Sequence, residues 1–404
     1  MESTAGPRKR QQAASASGSV APHLPEELVR NILLYLPSWY VHRCRAVCKD
    51  WLRIVSDREF AVDHHRLQPT LPLASFLRGA AGTKAETETE TSPVDCCVDA
   101  FDLGAAGSFR PVVRFTDKEE RCGAGAGGFH ILGSCDGLLL LSFEDRFYVC
   151  NPATHQWTRL PTPLRASWFA GFYRHDPTGE YRALFYRDQW PGEDYYIMVP
   201  DSRRGRGIGL PAEKDGYKFR GQPYGPPVLL RGHLHWMPRQ TEGYGILAFN
   251  TTTEVLTVMC PPVVREHMSL VAVGDELAMV SCGNNVTMVE LWLLKDYENE
   301  IWVCMHRIRL PAVKVSTFSF DELWRMFFMS EEGVVIVTPE QKLVHYDMNG
   351  TLLESFPCDN VRHLKIAPYT FKESLVRHAF FEIQDCNAGD HEDEPEQPPF
   401  FQGL

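Results

Sequence analysis

The first apolar pattern along the chain has helical spacing. Leu28, Ile32 and Leu36 recur at intervals of four residues, which places them on one face of an α-helix. Pro25 suits the first helical position, where its missing N–H leaves no hydrogen bond unmade. Pro37 cannot continue the helix, so the spacing predicts one helix between the two prolines.

Two further helices follow in the pattern. Ser38 is expected to cap the second, and Val47, Trp51 and Val55, at steps of four, predict the third. Together they predict a small all-α module over residues 21–62. A unit of this size rarely buries enough surface to be stable alone. Its wide apolar stripe therefore either meets another chain or packs on the rest of this one, and spacing alone leaves both open.

From about residue 66 to residue 386 the pattern changes to strands. The runs are short, rich in β-branched and aromatic residues, and bounded by turn residues, and no clear amphipathic helix interrupts them. An all-β domain is predicted over this range. The clearest runs are 138–143, 147–150, 183–186, 195–199, 247–249, 289–294, 334–337 and 343–346.

A repeat of about 50 residues organises the strand region. Five strand-like segments end in proline at intervals of 50, 50, 50 and 46 residues, and a weaker mark precedes them. That period is typical of a four-stranded propeller blade with the kelch spacing. We therefore predict an α+β multidomain chain in which a six-bladed propeller follows the helical module and residues 366–376 close the ring. The six marks are Pro111, Pro161, Pro211, Pro261, Pro311 and Pro357.

Three stretches lack an apolar pattern and are predicted to be disordered. Residues 1–20 are rich in alanine and serine, and residues 79–93 alternate glutamate with threonine. Residues 387–404 form an acidic, proline-containing tail, and we expect its removal to leave stability unchanged.

Composition narrows the function classes. With 44% hydrophobic residues among 404, the chain is too apolar to be largely disordered. The net charge of −11 argues against nucleic acid as a partner. The apolar runs are strand-sized and no apolar signal segment is present, so we expect neither a membrane partner nor secretion. The 12 cysteines include no Cys-x-x-Cys pair, which favours a reducing compartment.

Few residues suggest chemistry. His233 and His235 could share one strand face, but no third ligand lies nearby in sequence, so we predict no metal site. Neither a Gly-x-Ser-x-Gly elbow nor a lysine-bearing phosphate loop occurs, and we expect no catalytic residue and no cofactor.

One basic cluster and several aromatic residues near turns are the candidates for a partner surface in the strand domain. Aromatic and arginine side chains dominate interface hot spots. The alternatives are a solvated loop for the arginines and packing between blades for the aromatics. The candidate target-binding residues are Trp190, Tyr195, Arg203, Arg204 and Arg206, in loop-like stretches 186–196 and 201–225.

The helical module resembles the F-box. The ordered motifs Leu-Pro-x-x-Leu, Leu-Pro and Arg-x-Val-Cys-x-x-Trp run through residues 24–51, and their combination is specific although each fragment is weak. Gly-Ser-Cys-Asp-Gly-Leu-Leu at residues 133–139 and Asn-Pro-Ala-Thr with a tryptophan at residues 151–157 are similar to plant F-box proteins with an F-box-associated domain. The resemblance is strong in the first 75 residues and around 131–161, and looser beyond.

This resemblance implies a non-catalytic substrate receptor of a Skp–cullin–F-box ubiquitin ligase, in the nucleus or cytoplasm. The F-box would bind a Skp-type adaptor and through it a cullin, while the propeller would select an unknown target protein. An F-box scaffold outside a ligase and a propeller-based enzyme stay open as alternatives. The motif implies these adaptor-facing residues: Leu24, Pro25, Leu28, Ile32, Leu36, Val47 and Trp51.

Overall fold

A computed structural model gives the structure of the protein. It describes residues 24–79, 94–103, 108–117, 129–143, 146–160, 167–189, 192–199, 205–217, 224–237, 245–265, 267–282, 288–309, 327–338, 340–356, 358, 361–382 and 400–401. Among these residues, no helix has the length and apolar character needed to cross a membrane.

Four helices form the N-terminal module, one more than predicted. The additional helix starts where the side chain of Asp57 accepts a hydrogen bond from the backbone N–H of Phe60 at 3.1 Å. The helices are α1 (Glu26–Leu34), α2 (Ser38–Cys44), α3 (Lys49–Ser56) and α4 (Arg58–Leu67), and a short α5 (Ala379–Glu382) follows the strand domain.

Two local expectations about these helices were wrong. Ser38 is the first residue of α2 and Pro37 takes the cap position, so the Ser38 side chain does not cap. Val47 lies before α3, whose cap is the thiol of Cys48. The module core is apolar: Leu33, Val41 and Phe60 are buried against one another.

Six four-stranded antiparallel sheets make up the strand domain in the described part of the chain. Blade 1 combines three early strands with the last one. In chain order the strands of blades 1 to 3 are β1 (Leu71–Gly79), β2 (Val94–Asp102), β3 (Ser108–Asp117), β4 (His130–Cys135), β5 (Leu138–Phe143), β6 (Arg146–Asn151), β7 (Gln156–Arg159), β8 (Ser167–His175), β9 (Glu180–Gln189), β10 (Gly192–Met198) and β11 (Arg206–Gly207).

The remaining strands build blades 4 to 6 and close the ring. They are β12 (Tyr224–Leu230), β13 (His233–Met237), β14 (Ile246–Asn250), β15 (Leu256–Met259), β16 (His267–Val273), β17 (Glu276–Cys282), β18 (Met288–Asp296), β19 (Ile301–Arg309), β20 (Phe327–Met329), β21 (Gly333–Val337), β22 (Leu343–Asp347), β23 (Leu352–Phe356) and β24 (Val361–Phe371). Strands β4, β8, β12, β16, β20 and β24 contact one another in succession around the axis, which makes the ring. The prediction of a helical module followed by a six-bladed propeller is confirmed.

The C-terminal strand closes the ring, as predicted. Strand β24 pairs antiparallel with β1, with Ala74 opposite Ile366 and Leu71 opposite Phe371. Pairing of this kind removes the open edge that an unclosed ring would expose. The strand ends at Phe371, earlier than expected, because the following residues turn to the helical module.

The proline period marks the ends of outer strands in five blades. Strands β7, β11, β15, β19 and β23 each end one to four residues before one of the predicted prolines. Pro111 does not fit, because it lies inside β3 opposite Asp99, where the register shifts. An exposed outer strand tolerates proline, since the missing N–H faces away from the ladder. Blade 1 therefore ends at Asp117, later than predicted.

Part of the predicted disordered tail is ordered. Phe400 is fully buried against blades 1 and 2, in the same apolar cluster as Phe115 and Tyr148. The backbone N–H of Arg114 in β3 donates to the carbonyl oxygen of Phe400 at 2.8 Å. These contacts lead us to expect that removal of the tail lowers stability, contrary to the prediction from composition.

Candidate functional site: an uncovered helix face and two propeller ends

The outward face of α1 is apolar and uncovered. Leu28 and Ile32 keep 50% and 53% of their surface exposed, and Leu24 and Tyr35 continue the same exposed face. The opposite face of this helix is buried in the module core. A monomeric protein rarely leaves several large apolar side chains together in water, so this face has the character of a protein-binding surface.

Ion pairs fix the position of α1 beside its apolar face. The guanidinium of Arg53 on α3 lies 2.6 Å from the carboxylate of Glu26 on α1. On the other side, Arg30 of α1 pairs with Asp63 of α4 at 2.6 Å. These exposed or half-buried pairs contribute little stability, about 0–1 kcal/mol each. They hold the helix by directed contacts while leaving its outward face free.

A second exposed apolar group lies on α2. The rings of Trp39 and Tyr40 stack at 3.6 Å between centroids, and the Arg43 guanidinium lies 4.9 Å from the Trp39 ring. Both rings remain almost half exposed. Motif matching did not select them, although a Trp-Tyr pair next to a helix start was a visible signal. They join Tyr35 and Leu52 as exposed apolar residues of the module missed from the sequence.

The helical module is fastened to the propeller through α2 and α4. The backbone N–H of Ser38 donates to the Glu373 carboxylate at 2.5 Å, and a ring nitrogen of His65 lies 2.8 Å from the Glu373 carbonyl oxygen. His42 bonds the carbonyl oxygen of Ala153 at 2.7 Å. Leu375 completes the module core from the propeller side. The packing alternative therefore holds for α2 and α4, whereas the α1 face stays uncovered and its contact with another chain stays a prediction.

These contacts define two ends of the propeller. The near end carries the helical module and includes the β6–β7 connection with Ala153. Because the strands are antiparallel, every connection from an even- to an odd-numbered strand lies at this end, and the others lie at the far end. The four longest strand connections, residues 80–93, 118–129, 208–223 and 310–326, all start and end at the far end. Long connections on rigid blades are where binding proteins usually carry specificity.

Two candidate target-binding residues contact other parts of the propeller. Tyr195 is 0% exposed inside the core of blades 3 and 4, so its side chain offers no surface to a partner. Arg206 forms an ion pair with the buried carboxylate of Glu254. Residues 186–189 and 192–196 do not form a loop but the ladder of β9 and β10, across which Arg187 and Asp194 pair at 2.5 Å. The assignment of Tyr195 to a partner surface was wrong, because its ring lies in the core. Arg206 keeps 60% of its side chain exposed beside Glu254, so its contact with a target stays a prediction.

The other three candidates, Trp190, Arg203 and Arg204, lie outside the described residues. The strands on either side of these residues show that the two connections begin at opposite ends of the propeller. Strand β9 ends and β10 begins at the far end, whereas β10 ends and β11 begins at the near end. A seven-residue strand spans about 20 Å, so these two connections do not start from one surface.

Glu254 joins blade 3 to blade 4. Its carboxylate accepts hydrogen bonds from Tyr173 at 2.7 Å and from Arg182 at 2.6 Å, in addition to the Arg206 pair. Burial raises the pKa of Tyr173, which keeps its hydroxyl protonated as a donor. A buried carboxylate with three donors is stable only as long as the donors stay in place.

We expect Glu254→Gln to lower the free energy of unfolding by about 3 kcal/mol, because it leaves the largely buried guanidinium of Arg182 with only the exposed Glu180 as a charge partner. Chemical denaturation measures the change. Arg206→Ala is the matched control: this side chain is 60% exposed, so its loss should change stability by about 1 kcal/mol or less. Equal effects of the two substitutions would contradict a structural role for the buried pair.

His233 and His235 are held by protein groups. One ring nitrogen of His235 lies 2.7 Å from the Tyr297 hydroxyl and the other 3.2 Å from the Val228 carbonyl oxygen. Burial lowers the pKa of His235 to about 4, so the ring is neutral. Both nitrogens of His233 also have hydrogen-bond partners. No group of three potential metal-ligating side chains occurs among the residues the structure describes.

Comparison with known families decides what the two parts are. The model of the F-box domain matches residues 22–63, and that of the F-box associated beta propeller domain matches residues 108–376, more than half of the chain. The chain belongs to the F-box-associated β-propeller family. Its helical module is the F-box, and the expectations drawn from the motifs about both domains are confirmed.

Related plant proteins share both parts. F-box protein CPR1 of Arabidopsis thaliana is 24% identical over 393 residues, covering 87% of each chain. F-box/LRR-repeat protein At2g43260 of the same plant is 24% identical over 392 residues, covering 87% of this chain and 81% of its own length. Putative F-box protein At3g18330 is 44% identical over 343 residues, covering 76% of this chain and 85% of its own.

The F-box motif residues separate into two groups in the structure. Leu36 and Trp51 are half-buried and pack on the module core, where they support the helices. The other five, Leu24, Pro25, Leu28, Ile32 and Val47, are exposed. The motif therefore contributes both the frame of the F-box and its uncovered apolar residues, and their contact with an adaptor stays a prediction.

Proposed function

We propose that this F-box protein is the substrate receptor of a Skp–cullin–F-box ubiquitin ligase. The observation that carries the proposal is the uncovered apolar face of α1, with Leu28 and Ile32 half exposed while the reverse face is fully packed. Burial of such side chains is favourable by about 25 cal/mol per Å² of apolar surface. A Skp-type adaptor covers this face, and a cullin joins through the adaptor.

The placement of the F-box supports a receptor with two separate working surfaces. Its contacts with the propeller run through Glu373, Leu375 and the β6–β7 connection, all at the near end. The longest connections emerge at the far end, away from the adaptor-binding face. In this proposal the far end selects the target protein, and the ligase chemistry belongs to other subunits. Assembly with these subunits would take place in the nucleus or cytoplasm.

Reconstitution tests the proposal. Full-length protein, a plant Skp-type adaptor and a cullin are co-expressed, and the complex is measured by size exclusion with mass determination. We expect one copy of each chain in a single complex that supports ubiquitin transfer when its ring-finger partner is supplied. Absence of adaptor from the complex would contradict the proposal. Adaptor binding without cullin would instead favour the scaffold alternative, which shares the α1 face but not the ligase.

A further inference from the structure

The C-terminal Phe400 and Phe401 lie in a slot on the side of the propeller. The Phe400 ring meets Phe115 edge-on at 6.0 Å between centroids and Tyr148 at 5.0 Å. The Phe401 ring stacks on the exposed His155 at 5.0 Å with an angle of 13° between planes. Of these two adjacent aromatic side chains, Phe400 therefore packs in a buried pocket and Phe401 packs on a surface residue.

The walls of the slot belong to two blades and also pack on other residues of the propeller. Phe115 of blade 1 also contacts Phe129 at 4.9 Å and Phe143 at 5.1 Å. Tyr148 of blade 2 contacts Trp157 at 6.0 Å. Each of these residues is anchored in or beside a strand of the ring. The slot is therefore a property of the propeller, and the tail is its occupant.

The tail also uses the outer edge of blade 1. Strand β3 is the last strand of its sheet, and its Arg114 forms a parallel bridge with Phe401 while its N–H donates to Phe400 at 2.8 Å. The Arg114 side chain is fixed from within by an ion pair with Asp99 and a hydrogen bond to the Val98 carbonyl oxygen. Addition of an extended segment to a sheet edge, with side chains in pockets, is an established mode of peptide recognition.

The sequence Phe-Phe alone does not explain this arrangement. The same dipeptide occurs at Phe380 and Phe381 in α5, where it is helical and Phe381 is buried against blades 2 and 3. Phe400 and Phe401 instead meet a strand edge. The slot thus combines an aromatic pocket, an aromatic surface wall and a backbone donor, a set that fits an extended chain.

We propose that this slot is a peptide-binding site for an extended segment with two adjacent aromatic residues, and that the chain's own C-terminus fills it in cis. Residues 383–399 join α5 to the occupant, so the pair is tethered close to the slot. Covalent attachment of an occupant near its site gives an effective concentration that reaches the millimolar range. A partner peptide therefore binds strongly only after the tail has left or been removed. The proposal does not depend on adaptor or ligase function.

Binding in trans tests the proposal on the full chain. The probe is a fluorescent peptide with the sequence of residues 394–404, and the receptor is the full-length variant Phe400→Ala with Phe401→Ala. Fluorescence anisotropy should show saturable binding, at least about tenfold weaker for wild-type protein, whose slot is filled. A peptide with alanine at the position of Phe400 should bind at least about tenfold more weakly, because a buried ring is lost.

A slot-side substitution identifies the site. His155 has a positive φ of 55° and an exposed ring, so His155→Asn keeps the turn while removing the stacking wall. It should weaken peptide binding about threefold without lowering the melting temperature. Unchanged affinity for the His155→Asn protein together with an unchanged affinity for the alanine peptide would overturn the proposal.

A second experiment tests the proposal if the double variant fails to fold. A protease site inserted between residues 386 and 398 of the wild-type chain lets the tail be cut after folding. The labelled peptide should then exchange into the cut protein but not into the uncut one. Failure of the peptide to enter the folded, cut protein would also overturn the proposal.

Discussion

A chain that ends at residue 360 is expected to lose its propeller. Strand β24 contributes Leu364, Ile366 and Phe371 to the cores on both sides of blade 1, and each is at most 4% exposed. Its loss removes the innermost strand of that blade and exposes the edge of β1. Removing three buried side chains, each stabilising by about 1.5–3 kcal/mol, takes about 4.5–9 kcal/mol from the 5–15 kcal/mol that a typical domain has. We expect aggregation and no cooperative unfolding transition.

The same truncation also frees the F-box. Residues 372–376 follow β24 and provide Glu373 and Leu375, which fasten α2 and α4 to the propeller. A chain ending at residue 399 is the matched control, because it keeps β24 and the fastening segment and, of the residues the structure describes, loses only Phe400 and Phe401. It should remain folded, with a free energy of unfolding lower by about 1.5–3 kcal/mol. Light scattering and thermal unfolding measure both chains, and a monomeric, cooperative fragment ending at residue 360 would contradict ring closure.

Repeats that follow backbone geometry could be predicted from the sequence. The proline period follows from the connections between blades, because proline is excluded from the interior of a sheet and collects where outer strands end. The same six proline marks also led to the prediction that a strand after the last mark closes the ring. Pro111 broke the rule because an outer strand also tolerates proline within its length. Periodicity therefore predicts the number of blades better than it predicts where each one ends.

Positions that depend on partners far along the chain could not be predicted. Tyr195 lies next to polar residues in sequence, yet the β9–β10 ladder turns it into the core. Arg206 belongs to a basic run, and its partner Glu254 is 48 residues away. Phe400 follows an acidic, proline-containing stretch that gives no sign of a buried ring. In each case local composition is uninformative, because the deciding contact comes from another blade.

The face of α1 could be predicted because the motif and the helical spacing agree on it. Leu28 and Ile32 lie four residues apart and recur in the F-box pattern. The structure adds that Val29 and Leu33, one position further on, are the ones that build the core. Spacing alone therefore does not show which leucines of a short helix are exposed and which are buried; the packing of the helix decides it.

Leu28→Ala with Ile32→Ala is expected to weaken adaptor binding by about two orders of magnitude. Each side chain is half exposed in the free protein, and an adaptor would bury the exposed part of both. The double substitution loses this burial and leaves cavities in the interface, which together cost about 3 kcal/mol of binding free energy. Because neither side chain fills the module core, the melting temperature should stay within about 2 °C of wild type. Surface-immobilised adaptor measures the affinity.

Two control variants separate binding from folding. Leu33→Ala lies in the same helix and is fully buried, so it should destabilise the F-box by about 2–5 kcal/mol and lose adaptor together with the helical signal. Ile301→Ala with Val303→Ala removes exposed apolar side chains from the outer strand of blade 5, and should keep wild-type affinity. Adaptor binding by the Leu28 and Ile32 variant at wild-type level would mean that the α1 face is not the adaptor surface. The two variants remove comparable apolar surface, one from the F-box and the other from the propeller. Loss of binding in the blade 5 variant would therefore place the adaptor contact on the propeller.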